Sequence, residues 1–261
     1  MDKFIQQLAL GAGKITLKKF RKVKEVRSKA EQKDFVTEAD MMAQEYIIRA
    51  IKKRYPTHKV ISEEQENQPL GSGYTWIIDP LDGTYGFVRG LPFFCSTVAL
   101  SYKREIILSA AYDSVHDELF FAKKGKGAFL NGKRLKPAPR TNLNEAIGSW
   151  LLTKSVIWRK TEKSLAIYKS FFENGIYVLR MTSQGLSACY VAAGRLDFLI
   201  CDSFPLWDLA PTSLILKEAG MKVTELDGRP WRLEGEKMYN YFAGNPTIHK
   251  KYLPILKNIY R

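Results

Sequence analysis

The run Trp76-Ile77-Ile78-Asp79-Pro80-Leu81-Asp82-Gly83-Thr84 drives an apolar strand straight into a turn that carries two carboxylates, a glycine and a hydroxyl. Pro80 fixes φ and Gly83 permits a tight backbone approach, so Asp79 and Asp82 can converge on one point. Two carboxylates held close repel unless a cation or a shared proton joins them, and an all-oxygen donor set favours Mg2+ over zinc. Asp-Pro and Asp-Gly are also common turn dipeptides, so an acidic surface turn is the competing reading. Two further acidic positions gain meaning beside this segment. Ile61-Ser62-Glu63-Glu64 ends an apolar strand, from whose terminus Glu63 can reach a metal while Glu64 faces solvent. Trp207-Asp208 opens a helix, where an Asp in the first turn is already favoured by the helix dipole and needs no metal. The four carboxylates carry weight as a set.

Three rival chemistries lack their context. Gly11-Ala12-Gly13-Lys14 has no four-residue spacer and no adjoining Ser or Thr, and it sits inside a helical pattern, so it reads as a small-residue helix contact and not a phosphate loop. His58, His116 and His249 show no metal-ligand spacing. Serine triads and thiol catalysis have no local signature.

The carboxylate set, in its order along the chain, resembles the inositol monophosphatase superfamily of lithium-sensitive, magnesium-dependent phosphatases. The residues that carry the resemblance are Glu63-Glu64, the run Asp79 to Thr84 with Phe87 three residues later, and Trp207-Asp208-Leu209-Ala210 leading to Glu218-Ala219-Gly220. Phe35 to Asp40, Gly127 to Gly132 and Gly194-Arg195-Leu196-Asp197 support it, so the likeness spans essentially the whole chain. It implies an α+β fold of layered αβαβα sugar-phosphatase type with mixed and antiparallel sheets, two or three Mg2+ per site, and a homodimer. By the same resemblance Glu63, Asp79, Asp82 and the Leu81 carbonyl hold one metal, and Asp208 joins Asp79 and Asp82 around a second. Thr84 positions the attacking water, Asp40 accepts from its hydroxyl, and Lys29 adds a third-metal or phosphate-region contact. Backbone amides of Gly83 and Thr84 can cradle the phosphate.

Inositol 1-phosphate is then the first substrate to expect, with histidinol phosphate, fructose 1,6-bisphosphate and adenosine 3',5'-bisphosphate as alternatives. One departure bears on that choice. Four residues after Asp197 the family usually has a glutamate that binds inositol hydroxyls, whereas this chain has Cys201 followed by Asp202. A thiol is a weak hydrogen-bond partner, so inositol recognition should weaken unless Asp202 turns inward to join Asp208 on the substrate side. The family's Asn before Phe87 is also replaced, by Gly86.

Composition bounds the rest. The 261 residues are 45% hydrophobic and 12% aromatic, enough for a substantial core and outside the range of disordered chains. Among them 41 Lys and Arg stand against 27 Asp and Glu, a net charge of +14 that attracts phosphorylated metabolites, nucleic acid or acidic surfaces alike. The basic stretch from Lys14 to Lys33 makes a weakly RNA-associating module the rival function of a different class, although no nucleic-acid-binding motif accompanies it. No apolar run is long enough for a membrane span, and the N-terminus lacks an export signal. Three cysteines without CxxC spacing argue against a disulfide framework, which points to the cytoplasm.

The elements that must position these residues follow from periodicity. Asp2 caps a first helix to about Arg21, and Thr37 with Asp40 approximates a capping box for a second that ends before Pro56. Strands follow at Tyr74 to Ile78, Thr97 to Tyr102, Ile106 to Tyr112 and Glu118 to Phe121, as an antiparallel meander, with a hairpin turn at Asn131-Gly132. From Ala146 the pattern alternates: strands to Leu152, at Ile176 to Arg180, Leu196 to Cys201 and Met221 to Glu225, and helices over 162–173, 184–193 and 206–219, then a last helix from Asn245-Pro246. Residues 1–140 thus form an N-terminal α+β half carrying Glu63, Asp79 and Asp82. Residues 141–261 form an alternating α/β half carrying Asp208, joined to the first as one compact unit.

Overall fold

The computed structural model describes residues 1–22, 26–29, 34–65, 69–152, 161–233 and 238–260. Its helices are α1 (Asp2–Lys19), α2 (Glu38–Arg54), the single turn α3 (Thr84–Phe87), α4 (Thr161–Glu173), α5 (Gln184–Ala192), α6 (Leu206–Glu218) and α7 (Pro246–Tyr260). A seven-stranded sheet runs β3 (Lys59–Ser62), β4 (Thr75–Asp82), β5 (Cys95–Tyr102), β6 (Glu105–Asp113), β7 (Glu118–Lys123), β8 (Gly127–Leu130) and β9 (Lys133–Arg134) in spatial order. Only the β3–β4 pair in it is parallel; the rest is the expected meander, and Leu130 pairs with Lys133 across Asn131-Gly132. A five-stranded mixed sheet has the order β11 (Tyr177–Leu179), β10 (Ile147–Leu152), β12 (Phe198–Phe204), β14 (Tyr239–Gly244), β13 (Lys222–Thr224). Strands β1 (Val26–Lys29) and β2 (Asp34–Thr37) pair antiparallel as a separate two-stranded sheet.

Strand alternation builds the layers. Trp76, Ile78, Val98 and Leu100 face α1 and α2, whereas Ile77 and Ala99 face the middle layer with α5 and α6. In the second sheet Leu199, Cys201 and Tyr241 face that same middle layer, and Phe198, Ile200 and Phe242 face α4 and α7. The result is α1/α2, sheet, α5/α6, sheet, α4/α7, the αβαβα order. Asp79 shares parity with Ile77, so its side chain is sent inward toward α6 by the same alternation that buries its apolar neighbours.

Several local expectations are corrected. Strand β4 does not stop at Ile78: it continues through Asp82 across an irregularity in which Asp79 pairs with Thr97 and Asp82 with Cys95. The Ser96 hydroxyl donates to the Pro80 carbonyl at 2.7 Å, which satisfies an acceptor that the bulge turns out of the ladder. Helix α1 ends at Lys19 because Phe20 leaves helical ψ, and Met1 holds its N-cap position while the Asp2 carboxylate pairs with Lys123 at 2.8 Å. Strand β14 has no counterpart in the sequence reading. Gly11 and Gly13 do make the expected helix contacts, since a Cβ on either would overlap the rings of Tyr46 and Tyr112.

Gly148 in β10 lies under Phe198 so closely that an added Cβ would meet the ring at 2.0 Å. Gly148→Ala should therefore destabilise the protein by about 1–3 kcal/mol, the usual cost of overpacking. Thermal unfolding measures this; an unchanged midpoint would show that the ring has room to retreat.

Candidate metal centre

Three elements from distant parts of the chain deliver one carboxylate each. Glu63 follows β3, Asp79 lies in β4 and Asp208 is in the first turn of α6, and one oxygen from each lies within 4.8 Å of the others. Gln44 of α2 steadies the end of β3: its amide donates to the Glu64 carbonyl at 3.3 Å, and its carbonyl oxygen accepts from the Ser62 hydroxyl. Asp79 is only 1% exposed. Burial first, and then the negative charges of Glu63, Asp82, Asp208 and Asp40, push its carboxyl well above the usual range. Like charges held this close in a poorly solvated site are a standing cost unless a cation joins them. An all-oxygen cluster of this kind fits a hard divalent ion.

The bend after the metal turn carries the second device. Gly83 adopts φ +95°, and a Cβ there would stand 3.0 Å from that of Ser183 and 3.1 Å from the Phe93 carbonyl, so a glycine is needed on both counts. The next residue, Thr84, places its hydroxyl 3.1 Å from Asp40 Oδ1 and 2.9 Å from the Leu81 carbonyl, either of which can take its proton. Asp40 is buried in the capping box of α2, where its Oδ2 accepts from the Thr37 amide at 2.8 Å and the Thr37 hydroxyl at 2.6 Å. Burial raises its pKa from 3.8 to about 6, against the lowering effect of the Thr37 bonds. Leu81 is fixed from both sides, its amide donating to Asp79 Oδ1 at 3.1 Å.

Asp82 lies near enough for its charge to raise the Asp79 carboxyl, yet in the metal-free fold the two carboxylates take different partners. The Asp82 carboxylate lies outside the three-membered cluster and accepts at the N-terminus of α5, from the Gly185 amide at 2.6 Å, the Gln184 amide at 3.2 Å and the Ser183 hydroxyl. Cys95 donates its thiol at 3.6 Å. The bulge in β4 separates the directions of Asp79 and Asp82, and the α5 amides offer the second carboxylate a better partner than a third negative charge. Ser183 and Gln184 were not singled out in the sequence; the available signal was a Ser preceding the α5 stripe, an N-cap whose hydroxyl accepts from the Leu186 amide at 3.1 Å.

A sequence model of the inositol monophosphatase family matches residues 1–260. The chain belongs to the inositol monophosphatase family. As a family member it is a phosphatase, a phosphoric monoester hydrolase. It is 34% identical over 258 residues to the fructose-1,6-bisphosphatase/inositol-1-monophosphatase of Aquifex aeolicus, covering 95% of this chain and 92% of that protein. It is likewise 34% identical over 231 residues to the Nus factor SuhB of Pseudomonas aeruginosa, covering 87% of this chain and 84% of that one. Among solved structures, a Thermotoga maritima IMPase superposes with a TM-score of 0.88 at 30% identity, covering 100% of this chain and 98% of that one.

Within this inositol monophosphatase fold the two residues expected on the substrate side part company. Cys201 is fully buried in the middle layer, where its thiol neighbours the Gln184 amide and burial pushes its pKa up. Asp202 points to the opposite face of β12 and accepts from the Tyr260 hydroxyl of α7 at 2.6 Å, so it does not turn inward to replace the family glutamate. Gln184 stands in that region instead, 2% exposed, with its amide nitrogen donating to the Tyr241 hydroxyl. Lys29 is placed on β1 opposite Asp34, but its side chain lies outside the described residues, as do Lys24, Glu25, Glu31 and Lys33 of the basic stretch.

The raised carboxyl pKa values give this phosphatase a pH signature. A folded-state pKa of about 6 on Asp40, against an ordinary 3.8, means that the metal-free fold binds more protons than the unfolded chain between those values. The stability this confers is present below pH 3.8 and is lost as pH rises through 6, and Asp79 and Asp82 act in the same direction. Cation binding should reverse the loss: at a hundredfold excess over the dissociation constant it adds about 2.7 kcal/mol. Thermal unfolding with EDTA and with Mg2+ at pH 5 and pH 7.5 tests this, and a Mg2+ shift no larger at pH 7.5 than at pH 5 would contradict it.

Proposed function

We propose that this family member hydrolyses a small phosphomonoester by direct attack of water in a Mg2+-dependent reaction, with inositol 1-phosphate the first substrate to test. The observation that carries the reading is the meeting of Glu63, Asp79 and Asp208 beside the Thr84–Asp40 pair. Glu63, Asp79 and Asp208 hold the cation, with the Leu81 carbonyl and Asp82 as further ligands; Asp82 would share its carboxylate with the α5 amides. A divalent ion bound there supplies a water of lowered pKa and neutralises phosphate oxygens. Thr84 orients the water by accepting its proton while donating its own to Asp40, whose ionised form is the one that accepts. Glu63 stands beside the same water as the third member of the catalytic set, and the bend at Gly83 and Thr84 offers amides to the phosphate.

Phosphate release from a panel of monoesters with Mg2+ and with EDTA decides the core of this reading; equal release in both would sink it. Among inositol 1-phosphate, histidinol phosphate, fructose 1,6-bisphosphate and adenosine 3',5'-bisphosphate, the thiol at 201 and the outward Asp202 leave no carboxylate from these two positions for inositol hydroxyls. A modest preference for inositol 1-phosphate is expected, below about 100-fold in kcat/KM, because a lost hydrogen-bonding group discriminates strongly. A preference much above that would show that another group does the work of the missing glutamate. Family resemblance also supports lithium inhibition and a homodimer, the three cysteines without CxxC spacing support a cytoplasmic location, and the change from meander to alternating elements supports the division into halves 1–140 and 141–261. The net charge of +14 supports weak, salt-sensitive association with nucleic acid as a side property.

A further inference from the structure

A cleft of about 590 Å3 opens between α7 and the edge strand β13, on the face of the five-stranded sheet opposite α6 and Asp208. Lys222 of β13 and Lys250 and Lys257 of α7 line it, and among the described residues no Asp or Glu joins the lining. Asp227 nearby is engaged by the Arg229 amide at 2.9 Å and the Arg229 guanidinium at 2.6 Å while it also attracts Lys257. The polar floor is a buried pair, Thr224 Oγ1 and His249 Nε2, at 3.0 Å. Burial and then Lys222 hold His249 down to about 4, and its ring is engaged by Thr224 and the Phe242 backbone, so near neutral pH it adds no fourth charge. Leu253 adds an apolar wall. Three cations around one concave site raise the local concentration of anions, and lysine is a common phosphate partner. The volume is that of a small-molecule site and exceeds what an inorganic ion needs.

We propose that this cleft binds a small organic phosphate, for which AMP serves as the probe, its phosphate among the three lysines and its body over Leu253, at a place separate from the metal centre. The site stands independently of the phosphatase mechanism, since it shares no residue with it.

Isothermal titration of AMP into the full-length protein in EDTA tests the proposal, because hydrolysis is suppressed and the heat reports binding alone. Saturable one-to-one binding is expected, unchanged in Asp79→Asn and weakened at least about tenfold in Lys222→Gln/Lys250→Gln/Lys257→Gln, as the loss of charged contacts requires. These lysines lie away from the metal centre, so Mg2+-dependent phosphatase activity should persist in the triple variant and certify its fold. Should the triple variant fail to fold, the single reversal Lys250→Glu replaces it, with the same direction expected. Adenosine should not bind measurably, and inorganic phosphate should bind more weakly than AMP. No saturable AMP binding, undiminished binding in the lysine variants, or adenosine binding as well as AMP would each overturn the proposal.

Discussion

Asp79→Asn is expected to lower kcat/KM by about 10³-fold or more while raising the thermal stability of the metal-free protein at pH 7.5. The two effects have one cause. Asp79 is buried and its ionised carboxyl is opposed by the charges of Glu63, Asp82, Asp208 and Asp40, so the metal-free fold bears a penalty that a neutral amide removes. The carbonyl oxygen of Asn can still accept from the Leu81 amide, which keeps the turn in shape. The same substitution takes the central negative charge out of the cation site, and losing one preorganised electrostatic contact in a catalytic site already costs about 10²- to 10³-fold. Because Asp79 is shared by both metal positions whose carboxylates the family likeness implies, its loss should fall at or beyond the upper end. Steady-state kinetics across a Mg2+ series and unfolding in EDTA check both halves. A variant that loses activity and stability together would show only a damaged fold, and near-normal turnover at saturating Mg2+ would remove Asp79 from the site.

Thr84→Ala should lower kcat by about 10²- to 10³-fold with little change in KM, since orienting and deprotonating the water matters in the transition state and not for substrate binding. Thr84→Ser restores the hydroxyl and should recover most of the rate. Asp40→Asn should lose a similar factor in rate, while its stability at pH 7.5 sets a weakened cap against the removal of a buried charge. An amide has one acceptor oxygen where Asp40 uses two, one for the Thr37 cap and one for Thr84. The cap component is about 1 kcal/mol. Thr84 and Asp40 act through one hydrogen bond, so the double variant should be little slower than either single one. Multiplicative losses would mean that the two act separately. The protonated acid no longer accepts, so the wild-type rate should fall at acid pH, and with a cation bound nearby that fall should lie below the metal-free Asp40 value of about 6.

Much of this site was legible in local sequence. The residues of β4 alternate faces, the Gly83 bend admits only glycine, and the box from Thr37 to Asp40 is a four-residue pattern whose geometry is set by helix termination alone. These features depend on neighbours within a few residues, so type and spacing specify them. Glu63 and Asp208 were recognisable as members of a set through resemblance, although each alone is an ordinary strand terminus or helix start. Strand β14 was not legible, because Tyr239–Gly244 becomes a strand only through the partners β12 and β13 that flank it.

The aim of each carboxylate lay beyond sequence altogether. Asp79 and Asp82 belong to one motif, three residues apart, yet the first turns to Glu63 and Asp208 while the second is taken by Ser183 and the α5 amides about a hundred residues away. Asp202 next to Cys201 likewise belongs to Tyr260 of the last helix. By itself the sequence determined which groups can bind a cation and hold a water, because residue chemistry and short-range backbone geometry are local. Tertiary structure alone decided which oxygens share one point, because burial makes every unpaired charge seek its partner among whatever donors the packed layers bring beside it.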